Sequence, residues 1–299
     1  MRKFRRALAG WLFIGLSGWA SRSGPARIRS IGRAIGLLHY WLSWPVNIRL
    51  RHDMARALGV SLGQAAAILR QAHRENDRAV FEILCLAHAD CKPAELVDPV
   101  VVENREVLER LHAGRQGVIL LGMHMGNGIL MAARLARAGL PIHVVFRDPR
   151  RLPEGLLGRA LERAGCVPVA LDRGNPTRSF RQMLGILKRG GMIYILMDQG
   201  NKGEGAKRDF LGKTLRLPSG VPSLAVRTGS PVIPVHAESA DPHWRFRVNP
   251  ALPADDTESL LDRISKSMQR QIIDHPELWA WHHRRWKRYH FNSEPSAEP

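Results

Sequence analysis

From about residue 100 onward, short apolar runs alternate with amphipathic stretches, and run length separates strands from helices. Residues 117–122 form an apolar run bounded by glycines and predict a buried strand, with a helix after it over 125–138. A second strand and helix are predicted over 142–146 and 155–164. Residues 166–170 carry Pro168 and predict an edge strand, where a missing ladder donor is tolerated. A helix over 180–188, a buried strand over 192–197, a helix over 218–228 and a strand over 231–235 follow, and 246–248 suits an antiparallel partner. Residues 256–274 and 276–285 predict two closing helices. This alternation specifies an α/β fold: a mostly parallel central sheet with flanking helices. In such sheets ligands gather beyond the carboxyl ends of the strands.

The first hundred residues follow a different pattern. Residues 51–97 read as helical, with Leu62, Ala66, Leu69, Ala72 and His73 on one face, then Val80, Ile83, Leu84 and Ala87. Residues 7–20 are apolar, and fourteen residues make about 21 Å of helix. That is short of the roughly 30 Å hydrocarbon core of a bilayer. A second apolar stretch, 31–48, carries Arg33, His39 and Pro45. Trp11, Trp19, Tyr40, Trp41 and Trp44 fall in these stretches, and aromatics among basic residues suit a segment lying in a membrane surface. A buried pair of core helices is the alternative. The charged continuation Arg22, Arg27, Arg29 argues against a cleavable signal. The expected organisation is thus an N-terminal apolar helical, membrane-associating segment, residues 1–50, and an α/β domain, residues 51–299.

Charge narrows the partners. Lys and Arg number 45 against 27 acidic residues, a formal +18, which attracts nucleic acid, anionic lipid or an acidic carrier protein. No recognition-helix, zinc-finger or RNA-stacking signature accompanies that charge, and an apolar N-terminus has no place in a nucleic-acid binder. Cys85, Cys91 and Cys166 are odd in number and form no Cys-x-x-Cys pair, so neither a disulfide framework nor a zinc site is expected, and the usage suits a reducing compartment. No phosphate-binding loop or dinucleotide fingerprint occurs. Neither a cofactor nor a metal is expected.

The sharpest candidate chemistry is Gly122-Met-His124-Met-Gly126-Asn127-Gly128, where a strand ends and a helix begins. An imidazole there can take a proton from an attacking hydroxyl near neutral pH, and the helix N–H groups favour developing negative charge. The same residues also describe a tight turn. Arg147 ends a strand and suits either a phosphate or a surface ion pair. Asp198-Gln199-Gly200 follows a buried strand and reads as a turn or as part of a site. Lys202, Lys207 and Arg208 read as a solvated loop, and Trp279, Trp281 and Trp286 as core. His282, His283, Arg284 and Arg285 lack metal-ligand geometry and read as a cationic face near a bilayer.

The order along the chain is informative: His124-x-Gly-Asn, Val145-Phe-Arg147, Asp198-Gln-Gly200, Phe210-Leu-Gly212, Leu217-Pro-Ser-Gly220, then Ala225-Val-Arg-Thr-Gly-Ser-Pro-Val-Ile-Pro-Val235 and Pro276-Glu-Leu-Trp-Ala-Trp281-His-His-Arg-Arg-Trp-Lys287. This succession resembles the lauroyl and myristoyl acyltransferases of lipid A biosynthesis, within the lysophospholipid acyltransferase superfamily, over nearly the whole chain. The resemblance implies an acyltransferase at the cytoplasmic side of the cell inner membrane. A histidine, oriented by a carboxylate five positions later, would deprotonate a lipid or glycolipid hydroxyl, which attacks a thioester of acyl carrier protein or acyl-CoA.

His124 matches that histidine. The carboxylate position holds Ile129, the adjoining family tryptophan is Gly128, and no Asp or Glu occurs from Met125 through Arg147. Three explanations compete: Asp198 reaches His124 from another strand, the acceptor needs less activation, or catalysis is lost and the protein holds an acyl carrier or lipid for partner enzymes. The candidate catalytic residues are therefore His124 and Asp198, with Gly126, Asn127, Arg147 and Gln199 against substrate.

Overall fold

The computed structural model describes residues 13–147, 153–172, 174–199 and 205–283. Trp11, Gly200, Lys202 and the Arg284–Lys287 part of the C-terminal motif lie outside the described residues.

Helices build the N-terminal third. Residues 13–20 form α1, Pro25–Leu42 α2, Trp44–Leu58 α3, Leu62–Leu86 α4 and Pro93–Val97 α5. The apolar stretch 31–48 is thus two helices, broken at Ser43, with Pro45 in the first turn of α3 where no amide donor is needed. A capping box starts α4: Ser61 Oγ accepts from Gln64 N, and Gln64 Oε1 accepts from Ser61 N. α2 lies directly on α4. A Cβ at Gly36 would sit 2.4 Å from the His73 carbonyl oxygen, and one at Gly32 2.7 Å from Arg78 Cα, so only glycine admits this approach.

The inner face of α4 differs from the expected one. Leu62 and Val80 are exposed, while Glu75, Arg78 and Glu82 are buried beside Leu69, Ala72 and Phe81. Those charges survive burial by pairing, Arg78 with both glutamates.

The α/β part runs β1 (Val101–Glu103), α6 (Glu106–Ala113), β2 (Val118–Gly122), α7 (Gly128–Arg137), β3 (Ile142–Phe146), α8 (Leu156–Arg163), β4 (Val167–Ala170), α9 (Pro176–Lys188) and β5 (Met192–Leu196). Then come a hairpin, β6 (Ala206–Phe210) and β7 (Lys213–Leu217), α10 (Gly220–Thr228), β8 (Val232–Ser239), β9 (Arg245–Val248) and α11 (Thr257–Asp274). Seven strands form one sheet in the order β1-β9-β8-β2-β5-β3-β4. All neighbours are parallel except β8 and β9. The fully buried β2 is central, and the proline-bearing β4 is at the edge.

The closing segment is not a helix. Pro276–Leu278 and Trp281–His283 are single 3-10 turns, and Trp279 between them is extended and pairs antiparallel with Met125. Gly126 N–H donates to the Leu278 carbonyl at 3.1 Å and Ala280 N–H to the His124 carbonyl at 2.8 Å. Trp279 and Trp281 are both fully buried, their rings edge-to-face at 4.8 Å. Extended pairing buries both indoles against the His124 turn, which a surface helix would not do.

Candidate active site

β2 and β5 are parallel neighbours in register, Gly122 opposite Leu196, so the turns that follow them leave the sheet side by side. His124 stands on the first turn and Asp198 on the second. His124 Nδ1–H donates to Asp198 Oδ1 at 2.7 Å, and the His124 backbone N–H donates to Oδ2 at 3.1 Å. Trp279 Nε1–H donates to the same Oδ2 at 2.9 Å. Asp198 is fully buried, and these three donors offset the cost of a buried carboxylate.

The arrangement also fixes the imidazole. A carboxylate accepts only, so it holds the proton on Nδ1 and leaves the Nε2 lone pair as the acceptor. Gln199 Nε2 donates to that lone pair at 3.2 Å and lies 3.3 Å from His283 Nδ1. The His283 ring packs edge-on against His124 at 4.7 Å. The His124 side chain keeps 25% of its surface exposed, so solvent reaches part of the ring.

The glycines of the turn let neighbouring groups pack closely. Gly126 has φ 63 and packs inward: a Cβ there would meet Ala237 Cβ at 2.6 Å. Gly122 and Gly128 make room for one ring, since added Cβ atoms would lie 2.4 Å from Tyr194 Cε2 and 1.9 Å from Tyr194 Oη. Tyr194, on β5, thus occupies the space beside the start of α7. Burial, and then the nearby Asp198 charge, raise its phenol well above the ordinary range.

Asn127 is also turned inward. Its Oδ1 caps α7 by accepting from Leu130 N at 3.2 Å, and its Nδ2 donates to Glu82 Oε2 at 2.9 Å. Fully buried, Asn127 shapes the turn that carries His124. Glu82 holds more than Asn127: Trp244 Nε1 donates to it at 2.7 Å and Arg78 Nε at 2.8 Å. Arg78 also lies over the Trp244 ring, 4.4 Å from its centre. Arg33 of α2 joins through Glu75 at 3.2 Å. A polar chain therefore runs from α2 through α4 to the turn that carries His124.

Arg147 follows β3, whose Val144 is in register with Tyr194, so its exposed side chain rises from the same sheet edge as His124 and Asp198. Ile129 is half-buried on α7 and packs against the core. Trp279, His283, Tyr194 and Glu82 were not singled out from the sequence as parts of the site. Trp279 carried a usable signal, because a buried indole N–H needs an acceptor. Two further groups have metal-ligand spacing, His39 with His73 and Asp77, and His236 with Glu238 and His275; neither includes His124 or Asp198.

The family model described as bacterial lipid A biosynthesis acyltransferase matches residues 1–288. The chain is similar to a phosphatidylinositol mannoside acyltransferase of Mycobacterium tuberculosis (strain ATCC 25618 / H37Rv), 26% identical over 249 residues, covering 80% of this chain and 76% of that protein. A protein of the same description from Mycolicibacterium smegmatis is 24% identical over 246 residues, 80% of this chain and 79% of its own. The lipid A biosynthesis palmitoleoyltransferase of Escherichia coli (strain K12) is 24% identical over 194 residues, 62% and 61% of the two chains.

Proposed function

The chain belongs to the bacterial lipid A biosynthesis acyltransferase family, and on that premise we propose that it moves a fatty acyl chain from a carrier thioester to a hydroxyl of a glycolipid, with His124 as general base. The observation that carries this reading is the His124–Asp198 pair, closed at 2.7 Å on Nδ1, with the far ring nitrogen on Gln199. It also bears on the competing reading of a non-catalytic carrier- or lipid-binding protein, which drew its force from Ile129. Asp198 supports the catalytic reading by giving His124 a carboxylate partner from the turn after β5.

The step balances as follows. His124 Nε2 takes the acceptor proton as its oxygen attacks the thioester carbonyl carbon. The C–O bond forms, the C–S bond breaks, and the imidazolium returns its proton to the departing thiolate. Asp198 keeps the ring oriented and stabilises the imidazolium. Gln199 marks where the acceptor hydroxyl enters, since its amide already donates to Nε2. Arg147, exposed at the same edge, suits an anionic group of either substrate. The donor we favour is acyl carrier protein, with acyl-CoA as the alternative thioester. The relatives' names point to two acceptor kinds, mannosylated phosphatidylinositol and lipid A.

The site of action proposed is the cytoplasmic side of the inner membrane. No described helix is long and apolar enough to cross a bilayer. Instead Trp19, Leu37, Leu38, Trp41, Leu42, Trp44 and Ile48 are exposed on α1, α2 and α3, with the Arg51 guanidinium 4.8 Å from the centre of the Trp44 ring. Aromatic and aliphatic side chains with cations among them suit the interfacial zone. This surface lies near the His124 site, because His39 of α2 lies 5.5 Å ring to ring from His282, and His282 lies 4.8 Å from His283.

The deciding experiment incubates the purified full chain with labelled acyl carrier protein and total membrane lipid. Transfer into a lipid fraction that disappears in folded His124→Ala is expected. Transfer that survives His124→Ala unchanged sinks the catalytic histidine, and no transfer by the native chain from either thioester favours the binding role.

A further inference from the structure

Ligand-type side chains that this chemistry leaves unused meet where α2 crosses α4. His39 comes from α2. His73 and Asp77 are four residues apart on α4 and so share one face of it. One ring nitrogen of each histidine and a carboxylate oxygen of Asp77 all lie within 4.8 Å of one another. His39 Nδ1 is 2.7 Å from Asp77 Oδ2.

The second observation is His73 itself. It is fully buried, its Nε2 lies 3.3 Å from Asn47 Oδ1, and its Nδ1 has no hydrogen-bond partner. Leaving a buried polar atom unpaired costs about 1–3 kcal/mol, and native folds rarely accept that without a use for it.

The geometry points to a binding site for a divalent transition-metal cation of the zinc class, formed by His39, His73 and Asp77. Two imidazoles and one carboxylate are the nitrogen and oxygen donors such ions prefer, and three protein ligands leave one position open. His282 lies beside the three without being one of them, its ring 5.3 Å from that of His73 and 5.5 Å from that of His39. The other candidate group is weaker: Glu238 is engaged by Arg247 and His236 Nδ1 by Asn249, and it has no counterpart of the unpaired buried His73 nitrogen. A cation at the first site would clamp α2 to α4. The inference stands whether or not His124 is catalytic.

The test uses the full chain, stripped with a chelator and dialysed against Zn2+ alone. One equivalent should bind, and Co2+ in its place should show the visible absorption of a low-symmetry nitrogen–oxygen site. His39→Ala and Asp77→Asn, at positions less buried than His73, should each weaken Zn2+ binding by at least about 100-fold while remaining folded by circular dichroism. His236→Ala should leave binding intact. Equal Zn2+ uptake by the native chain and the His39→Ala/Asp77→Asn double variant overturns the site, as does loss of binding in His236→Ala alone.

Discussion

Replacing Asp198 with asparagine changes one atom and tests the whole arrangement. Among the described residues Asp198 accepts from three donors, His124 Nδ1, His124 N and Trp279 Nε1. An amide offers one oxygen and one NH2 group in the same outline, so two orientations compete. With the oxygen toward Nδ1 the imidazole keeps its tautomer, but the NH2 group then faces two buried N–H donors. Each donor left unpaired costs about 1–3 kcal/mol. With the amide reversed, its oxygen serves both of those donors and its NH2 donates to Nδ1, which must give up its proton. The second orientation wins, and it moves the ring proton to Nε2, the position that has to be a lone pair. In the serine-protease triad the same change lowers turnover about 10⁴-fold through the wrong tautomer, and a loss of that order is expected here, with little loss of stability. The assay is single-turnover acyl transfer, paired with ¹⁵N NMR of the His124 ring. Turnover within about tenfold of the native protein, less than a general base ordinarily contributes, would refute the reasoning, as would a ring that keeps its Nδ1 proton.

Ile129→Glu, which restores the family's acid on α7, should lower activity, because His124 is already paired and a new charge must be half-buried beside the core; a rise in transfer rate would overturn the assignment of Asp198. Gly128→Ala places a Cβ 1.9 Å from Tyr194 Oη and 2.8 Å from its Cζ, an overpacking that should cost about 1–3 kcal/mol by denaturant titration. Adding Tyr194→Phe, which removes the nearer atom, should recover part of that loss, and no recovery means the strain lies elsewhere. Burial lowers the His236 pKa to about 4, against about 6.5 in the unfolded chain. The unfolded state therefore binds more protons between those values, and stability should hold above about pH 6.5 and fall toward pH 4, by as much as about 3 kcal/mol for this residue. His236→Gln should flatten that slope; an unchanged slope rules the residue out as its source. Removing the exposed ridge with Leu38→Ser, Trp41→Ser and Leu42→Ser together should release the protein from anionic vesicles in a flotation assay, and undiminished binding would discount the ridge.

What could be read from the sequence was set by how local each signal is. The strands over 118–122, 142–146 and 192–196 are apolar runs closed by glycine or a polar turn, and they stand in the structure within a residue of expectation. The β6–β7 hairpin escaped notice because Lys207, Arg208 and Asp209 read as loop, and β1 because three residues carry no periodicity. The last segment misled because tryptophans two apart suit both a helix and an extended strand, and only the Met125 pairing decides between them. At the site, His124 was visible because strand end, imidazole and helix start are contiguous. Asp198 was visible only as one option, since its meeting with His124 depends on β2 and β5 being neighbours in the sheet. The cap that buried Asn127 makes on α7 was not legible, because sequence shows a polar residue but not which way it faces. His39, His73 and Asp77 come from two helices with a third between them, so no spacing rule finds them.

The glycine seam between α2 and α4 has a mechanical consequence. Backbones in contact at Gly32 and Gly36 cannot slide or hinge without opening the packing on which α4 depends. α4 in turn grips Asn127, which starts the helix behind His124. On the interfacial reading, the surface that rests on lipid and the imidazole that accepts the proton belong to one rigid frame, so the height of the reacting nitrogen above the bilayer is a constant of the molecule. The enzyme would then select among hydroxyls by elevation as well as by shape: a group that stands at that height on its lipid is acylated, and an identical group nearer the bilayer is passed over.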